Sequence, residues 1–321
     1  MATDRIERPL SYAQNMEDYH LSLAFDGTER GFYIDIGGGH PIAGSVSFWF
    51  YERGWRGLVV EPQTDLVSLH RQLRPRDTIV NAVVSQLSGE TEFYRVDRLH
   101  ALSTLLKENA QAASAHGVGF SSVRVRSFSL ADLCRLHNPA AIDFLKIDVE
   151  GAEREVIAGG DWQRYRPKVV VVEAIAPTRG TPAWENWEPL LTANGYKFVL
   201  FDTLNRFYVA EEQTDLLAKI PFDRQPWDRV RHMYEIGRAP DNALHPDHAL
   251  AKELAQGFWA SLPHLGDDLV LSLLRRGRGL SEMSATDRES DKLEERVRTE
   301  PFRFSLGRIA CNYDGGFVSE D

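Results

Sequence analysis

Cysteine is scarce in this chain: Cys134 and Cys311 lie far apart in a sequence of 321 residues. Neither belongs to a C-x-x-C pair, which argues against a disulfide framework or a thiolate zinc site. Long apolar runs are also missing, since no stretch approaches the roughly 18 residues that span a bilayer. The opening ten residues are polar and do not resemble a secretory signal. We therefore expect a cytoplasmic protein without membrane insertion.

An excess of positive charge is the third absence. The chain has 37 Lys and Arg against 47 Asp and Glu, a formal net charge of -10. Proteins that wrap a phosphate backbone need a basic stripe, so nucleic acid is not an expected partner. Hydrophobic residues make up 43% of the chain, enough to bury the core of one large α/β domain with an appendage.

Short apolar strands alternate with helices in the first third of the chain. A helix is predicted over residues 11–25, and strands at 31–37, 58–61 and 78–84, which favours a parallel sheet. Later strands are predicted at 92–96, 123–128, 142–148, 168–173, 196–201 and 206–210. The pattern predicts an α/β fold with a doubly wound sheet of about seven strands, ending in an antiparallel hairpin. Ligands of such sheets bind at the carboxyl ends of the strands.

The last third of the chain has a different character. Helices are predicted at 247–260 and 267–275, and a charged, weakly patterned stretch follows. We therefore divide the chain into a ligand-binding domain, 1–212, and a helical appendage, 213–321, expected to act as a lid or a dimer contact. Residues 109–119, which are polar and rich in alanine, are predicted to form a loop near the mouth of the site.

An acid and glycines follow the first buried strand. Asp35 and Gly37 to Gly39 stand at its end, and Glu61 ends the next strand, a pattern that can cradle a nucleoside and its ribose hydroxyls. A dinucleotide fingerprint needs a third glycine where His40-Pro41-Ile42 stands, so S-adenosylmethionine is favoured over NAD. A nicotinamide-dependent oxidoreductase or epimerase remains the alternative, and a purely structural turn is a further, less favoured one.

Further acids end two later strands. Asp148 and Glu150 follow the strand at 142–148, and Glu173 closes a strand made of valines. If these strands are neighbours, Asp148 and Glu173 can bind a metal ion such as Mg²⁺ or a substrate hydroxyl. Whether a metal is required stays open.

Seven segments, in this order, resemble the pattern of the FkbM family of methyltransferases between about residues 11 and 209. They are SYAQNMEDYHL, YIDIGGGHP, SVSFWFYERGWRGLVVEP, RPRD, IDFLKIDVEGAE, RPKVVVVEA and DTLNRFYV. The resemblance implies a class I methyltransferase fold in residues 1–212, S-adenosylmethionine as donor, and O-methylation of a natural product or a sugar or glycan acceptor. The chain departs from the family at Met16 and Thr203, where glycine is usual.

The resemblance also implies roles for single residues. Asp35, Gly37, Gly38 and Gly39 would line the methionine part of the donor, Glu61 would hold the ribose, Asn81 would lie near the adenine, Asp148 would face the methyl group, and Gln14, Asn15 and Glu17 would close over the donor.

An acceptor hydroxyl needs a base, which is typically worth about 10²–10⁴-fold in rate. His40 is the first candidate because histidine titrates near neutral pH. The other candidates are His100, Asp148, Glu150 and Glu173. Trp184 is the aromatic residue expected to stack on an acceptor. A non-catalytic protein that binds S-adenosylmethionine is a further alternative, and the chain is a candidate homo-oligomer.

Overall fold

The computed structural model describes residues 8–97, 102–114, 117–176, 180–277 and 287–311. They pack as two compact units, Met1–Glu235 and Ile236–Asp321. The helices and strands, in chain order, are β1 (Leu10–Ser11), α1 (Glu17–Ala24), β2 (Phe32–Ile36), α2 (Phe48–Glu52), β3 (Arg56–Val60), α3 (Thr64–Leu73), β4 (Thr78–Val80), β5 (Val83–Ser85), β6 (Gly89–Val96), α4 (Lys107–Ser114), β7 (Phe120–Ser129), α5 (Leu130–His137), β8 (Phe144–Ile147), α6 (Glu153–Ala158), β9 (Val169–Glu173), α7 (Glu188–Thr192), β10 (Tyr196–Phe201), β11 (Asn205–Ala210), α8 (Thr214–Lys219), β12 (Arg231–His232), α9 (Met233–Ile236), α10 (His248–Ser261), α11 (Asp267–Gly277), α12 (Asp287–Val297) and α13 (Glu300–Ala310).

A seven-stranded sheet forms the centre of the first unit, in the order β10-β11-β9-β8-β2-β3-β4. Within this sheet, β4, β3, β2, β8 and β9 are parallel, and β11 is antiparallel to both β9 and β10. Both faces are buried, because Val170 and Val172 pack into one core and Val169 and Val171 into the other. The predicted mixed α/β fold, with a multi-stranded sheet and helices, is confirmed.

A second sheet of three strands, β5-β7-β6, was not predicted as a separate layer. The strand predicted at residues 78–84 is wrong in one respect: it is two strands that belong to different sheets. Between them, the Asn81 side chain donates hydrogen bonds to the carbonyls of Glu61 and Pro62 at 3.1 and 2.8 Å. This local bonding accompanies the break between β4 and β5.

The helix near the N-terminus is shorter than the one predicted over residues 11–25. Helix α1 begins at Glu17, because the Asp18 carboxylate accepts hydrogen bonds from the backbone of Tyr12 and Ala13 and holds them outside the helix. The predicted loop at 109–119 is also wrong in part, since Lys107–Ser114 is helix α4. Its Ala110 and Ala113 are fully buried in a small core with Val96.

The second unit contains helices α10 to α13. Its core is formed by Leu262, Val270, Leu271, Leu293, Val297 and Leu306. The boundary predicted between residues 212 and 213 falls inside the first unit, where Arg231 in β12 pairs with Leu10 in β1. The role of the appendage as a lid or a dimer contact stays a prediction. Among the described residues, the helices are all too short or too polar to cross a bilayer.

Candidate functional site

A cavity of about 520 Å³ lies at the carboxyl ends of β2, β3, β8 and β9. This is the edge of a parallel sheet where ligands bind. Nine residues predicted for the site line it: Gln14, Gly37, Gly38, Gly39, His40, Glu61, Asp148, Glu150 and Glu173.

The glycine turn and Glu61 are joined directly. The Gly39 N–H donates to one Glu61 carboxylate oxygen at 2.9 Å, and the Gln63 N–H donates to the other at 2.8 Å. His70, which the sequence analysis did not single out, donates from Nε2 to the Gly39 carbonyl at 3.0 Å. Burial raises the pKa of Glu61, and the backbone donors work against that rise. The turn and the carboxylate therefore form one cradle beside the cavity.

The three glycines of the turn are needed for different reasons. Gly37 has φ +78°, and a Cβ there would collide with the backbone carbonyl oxygen of Asp148. A Cβ at Gly38 would collide with Val59. Gly39, with φ +55°, has nothing within 4 Å of its Cβ position, and it lines the cavity. Only Gly39 therefore leaves open space that a ligand can fill, which fits a donor lying against the backbone.

Lys146 is the only lysine or arginine among the described residues that line this cavity, and the sequence analysis gave it no role. Its ammonium donates to the Gly37 carbonyl at 2.7 Å and lies 3.4 Å from Asp35 and 3.2 Å from Asp148. Burial alone would lower the pKa of Lys146, but the two carboxylates raise it above its ordinary value. A lysine inside an otherwise apolar strand was the signal for this buried charge, because lysine is rarely buried without partners.

Three carboxylates, those of Asp148, Glu150 and Glu173, meet on one side of the cavity. One oxygen of each lies within 4.8 Å of the others. Burial and the neighbouring Asp148 raise the pKa of Glu150 to about 9 and that of Glu173 to about 11. The buried Oε2 of Glu173 accepts no hydrogen bond within the described residues. This carboxylate trio is a set of hard oxygen ligands that fits a divalent cation such as Mg²⁺.

Glu150 has an unusual backbone. Its φ of +58° lies in the left-handed region, which a non-glycine residue adopts at a cost of about 1–3 kcal/mol. The Glu150 carbonyl accepts hydrogen bonds at 2.8 Å from Thr104 Oγ1 and from Asn109 Nδ2. Thr104 and Asn109 therefore hold the backbone of Glu150 in this conformation.

His40 lines the cavity, but its ring is already used. Nδ1 accepts hydrogen bonds from the backbone N–H groups of Ile42 and Ala43 at 3.1 and 3.0 Å. The neutral ring must then carry its proton on Nε2. Partial burial also lowers the pKa of His40. Neutral His40 is therefore a hydrogen-bond donor towards a ligand, and the prediction that it acts as the first base has no support in this geometry.

Four predicted site residues do not line the cavity: Asn15, Glu17, Asp35 and Asn81. Each of them forms a hydrogen bond with another residue of the protein. Asn15 donates to the Asp202 carbonyl at 2.6 Å, Glu17 accepts from Asn205 at 2.6 Å, and Asp35 accepts from Ser47 at 2.5 Å.

Two further predictions have separate outcomes. The bases considered at the sequence level included His100, which lies outside the described residues. Trp184, predicted to stack on an acceptor, is not part of the cavity lining. It packs against Phe201 and lies 4.7 Å from the Arg206 guanidinium.

A buried ion pair supports the loop behind the glycine turn. The Arg74 and Asp77 side chains lie 2.7 Å apart and are almost fully buried. Arg74 also donates to the Pro41 carbonyl and to Ser45 Oγ, each at 3.1 Å. The RPRD segment therefore connects helix α3 to the loop that follows Gly39.

Two residues of this chain stand where the FkbM family usually has glycine, and both have positive φ. Met16 has φ +66° and Thr203 has φ +87°. This is the conformation that glycine adopts without a Cβ penalty. Met16 and Thr203 therefore adopt the backbone conformation expected for glycine, and their Cβ atoms make it sterically less favourable.

Comparison with known proteins identifies the family. The model of the methyltransferase FkbM domain matches residues 35–198, which is about half of the chain. The chain belongs to the FkbM methyltransferase family. The matched range contains the glycine turn, Glu61, Lys146 and the carboxylate trio, while Gln14 and everything after residue 198 lie outside it.

One solved structure similar to this FkbM chain is the crystal structure of methyltransferase FkbM from Methylobacillus flagellatus KT. It is 14% identical, with a TM-score of 0.36, and the match covers 63% of this chain. It covers 48% of the other chain, so this chain spans about half the length of the structure that it matches. No curated protein matches the chain.

Proposed function

We propose that the first unit is a class I methyltransferase domain, Rossmann-like in its sheet, that transfers a methyl group from S-adenosylmethionine to a hydroxyl of a natural product or of a sugar or glycan. The observation that supports this proposal is the hydrogen bond of 2.9 Å between Gly39 and Glu61, which lies beside a cavity of about 520 Å³ in a chain of the FkbM methyltransferase family. S-adenosylmethionine supplies an electrophilic methyl group when it is bound.

The residues of the cavity divide the binding task. Glu61 keeps acceptor capacity for ribose hydroxyls, since a carboxylate offers about four acceptor sites and this one accepts two backbone hydrogen bonds and one from the Gln63 side chain. Gly39 allows the donor to approach the backbone. Holding donor and acceptor in line contributes roughly 7–11 kcal/mol to lowering the barrier.

Asp148 is the base that the electrostatics favour. Glu150 and Glu173 hold their protons at neutral pH, because their pKa values are raised to about 9 and about 11. Asp148 instead has a counter-charge, Lys146, at 3.2 Å. We assign Asp148 to take the proton of the acceptor hydroxyl, and Glu150 and Glu173 to hydrogen-bond the acceptor.

The alternative is that the carboxylate trio binds a divalent cation. Bound there, it would supply Lewis acidity and orient acceptor hydroxyls. Asp148, Glu150 and Glu173 would be its ligands, and the Glu150 and Glu173 carboxyls would release their protons on binding, since metal ligands must be deprotonated.

The proposal is tested by calorimetric titration of the full chain with S-adenosylmethionine and, separately, with NAD. We expect only S-adenosylmethionine to bind and to stabilise the fold, by about 2.7 kcal/mol at a hundredfold excess over Kd. Binding of NAD alone would favour the nicotinamide-dependent alternative. Incubation with acceptors and detection of a methylated product then separates an enzyme from a protein that only binds the donor.

Glu61→Ala should weaken donor binding by at least tenfold. It also removes the acceptors of two backbone N–H groups, which costs about 1–3 kcal/mol of stability for each group left unsatisfied. Glu188→Ala is the matched control: Glu188 accepts from Arg206 at 2.6 Å and from Tyr208 at 2.9 Å but does not line the cavity. Equal donor affinity in the two variants would refute the ribose assignment.

A further inference from the structure

A second, open cleft adjoins the donor cavity. It has a volume of about 430 Å³ and is lined by Gln14, Asn15, Leu204, Arg224, Trp227 and Tyr234. We call it the Arg224 cleft. Gln14 lines both spaces, and Leu204 precedes Asn205, which pairs with Glu173 across the sheet. The cleft therefore shares Gln14 with the donor cavity and lies next to the strand that pairs with the Glu173 end of β9.

The wall of the cleft is anchored to the body of the first unit. The Arg231 N–H donates to the Pro9 carbonyl at 2.8 Å where β12 pairs with β1. The Gln225 N–H donates to Nε2 of His20 at 3.1 Å. Burial lowers the pKa of His20 to about 4, so its ring is neutral and accepts this bond at physiological pH. Arg224, next to Gln225 in sequence, is thereby held in position.

Arg224 carries a positive charge that is not neutralised by a carboxylate among the described residues. Its Nε is buried without a hydrogen-bond partner, and the guanidinium forms no ion pair with a carboxylate of the described residues. It lies 4.9 Å from the ring centroid of Trp227, which stacks on His232 at 3.6 Å. An unpaired buried donor is costly, and the Arg224 side chain, which lines the cleft, has no carboxylate partner among the described residues.

A different cleft has three arginines, two of which are already paired with carboxylates. It contains Arg95, Arg124 and Arg126 on the three-stranded sheet. Arg95 lies 3.4 Å from Asp65, and Arg124 lies 4.0 Å from Glu90, so two of its charges already have partners. Neither Gln14 nor any member of the carboxylate trio lines it. The Arg224 cleft is the better candidate for recognising an acceptor.

We infer that the Arg224 cleft binds an anionic group of the acceptor, a carboxylate or a phosphate ester, so that the acceptor class is an acidic or phosphorylated sugar-like molecule. This inference rests on the proposed function. The guanidinium fork matches both anions with two parallel hydrogen bonds. The charged end of the acceptor then lies in the cleft while its hydroxyl reaches Asp148. Tyr234, which is 56% exposed, offers an aromatic surface to the sugar ring.

The test uses the full chain loaded with S-adenosylhomocysteine, the product of the donor, at low ionic strength. The probes are D-glucuronate, D-glucose 6-phosphate and neutral D-glucose, each titrated by calorimetry. We expect at least one anionic probe to bind more tightly than glucose, and the better of the two identifies carboxylate or phosphate. Arg224→Gln should weaken that binding by roughly tenfold or more, because a hydrogen bond to a charged group is lost.

Arg229→Gln is the control, since Arg229 is an exposed arginine of the same segment that does not line the cleft. It should bind the probes as the parent does. Arg224→Lys, which keeps the charge but loses the fork, should fall between the parent and Arg224→Gln. If both anionic probes bind no better than glucose, or if Arg224→Gln binds them as the parent does, the inference is wrong while S-adenosylhomocysteine binding still supports the proposed function. If S-adenosylhomocysteine does not bind, the proposed function is wrong and the acceptor assignment is overturned with it.

Discussion

Replacing Gly39 by alanine should weaken donor binding far more than it weakens the fold. Gly39 has φ +55° and open space at its Cβ position, on the wall of the cavity. The left-handed backbone costs a non-glycine residue about 1–2 kcal/mol. In a unit of this size, 1 kcal/mol lowers Tm by about 2–4 °C, so we expect a fall of about 2–8 °C.

The effect on binding follows from how the turn is held. The added methyl group would stand where we place the donor, and the turn cannot withdraw without breaking the 2.9 Å bond from Gly39 to Glu61 or the 3.0 Å bond from His70. Either loss costs about 1–3 kcal/mol, equivalent to roughly 5–150-fold in affinity. Calorimetric titration with S-adenosylmethionine measures this change.

Gly27→Ala is the matched control for this experiment. Gly27 has φ +80° and open space at its Cβ position, but it lies in an exposed turn away from the cavity. It should show a comparable loss of stability and an unchanged donor affinity. If Gly39→Ala bound the donor as tightly as Gly27→Ala, the donor would not contact the turn and the cradle would be misassigned.

Further predictions concern charge. Lys146→Met should lower the free energy of unfolding by about 3–5 kcal/mol in urea titrations, because it leaves Asp35 buried without its partner; a loss below about 1 kcal/mol would contradict this. The pKa of Glu173 is about 11 in the folded protein and 4.5 in the unfolded chain. Because the folded state then binds more protons than the unfolded state above about pH 4.5, the free energy of unfolding falls as the pH rises. Glu173→Gln should therefore gain stability relative to the parent between pH 5 and pH 8, by at most about 1.4 kcal/mol per pH unit, and an equal difference at both pH values would refute the raised pKa. Nitrogen NMR should find the ring of His40 as the Nε2–H tautomer with a pKa below 6.5, and an Nδ1–H tautomer would restore it as a base. If the trio binds a cation, Mg²⁺ should raise the Tm of the parent but not of Glu173→Gln, and EDTA should abolish methyl transfer; full activity after EDTA would remove the metal from the mechanism.

Several features could be predicted because they depend on neighbours along the chain. The run Val169–Glu173 alternates between two cores and is recognisable as a buried strand from its valines alone. The glycines after β2 mark a close approach of the backbone, and positive φ at Gly37 and Gly39 agrees with that reading. The motifs in order were sufficient to predict the family that the comparison then showed.

The sequence did not show which partners several side chains would have. Asp35 looks like a ligand-binding acid in sequence, yet it is buried against Ser47 and Lys146. His40 looks like a base, yet two backbone N–H groups occupy its Nδ1. The strand predicted at 78–84 is divided between two sheets by the side chain of Asn81.

Periodicity, turn residues and motif order were enough to establish an α/β chain with a glycine turn and acids at strand ends, because each of these signals is local. Only the tertiary structure decided which charges meet: Lys146 between Asp35 and Asp148, the trio with Glu150 and Glu173, and Arg224 beside Gln14. The energy of a buried charge depends on its burial and on the partners within a few ångströms. Those partners come from other strands and loops, so the spacing of residues along one segment does not determine them.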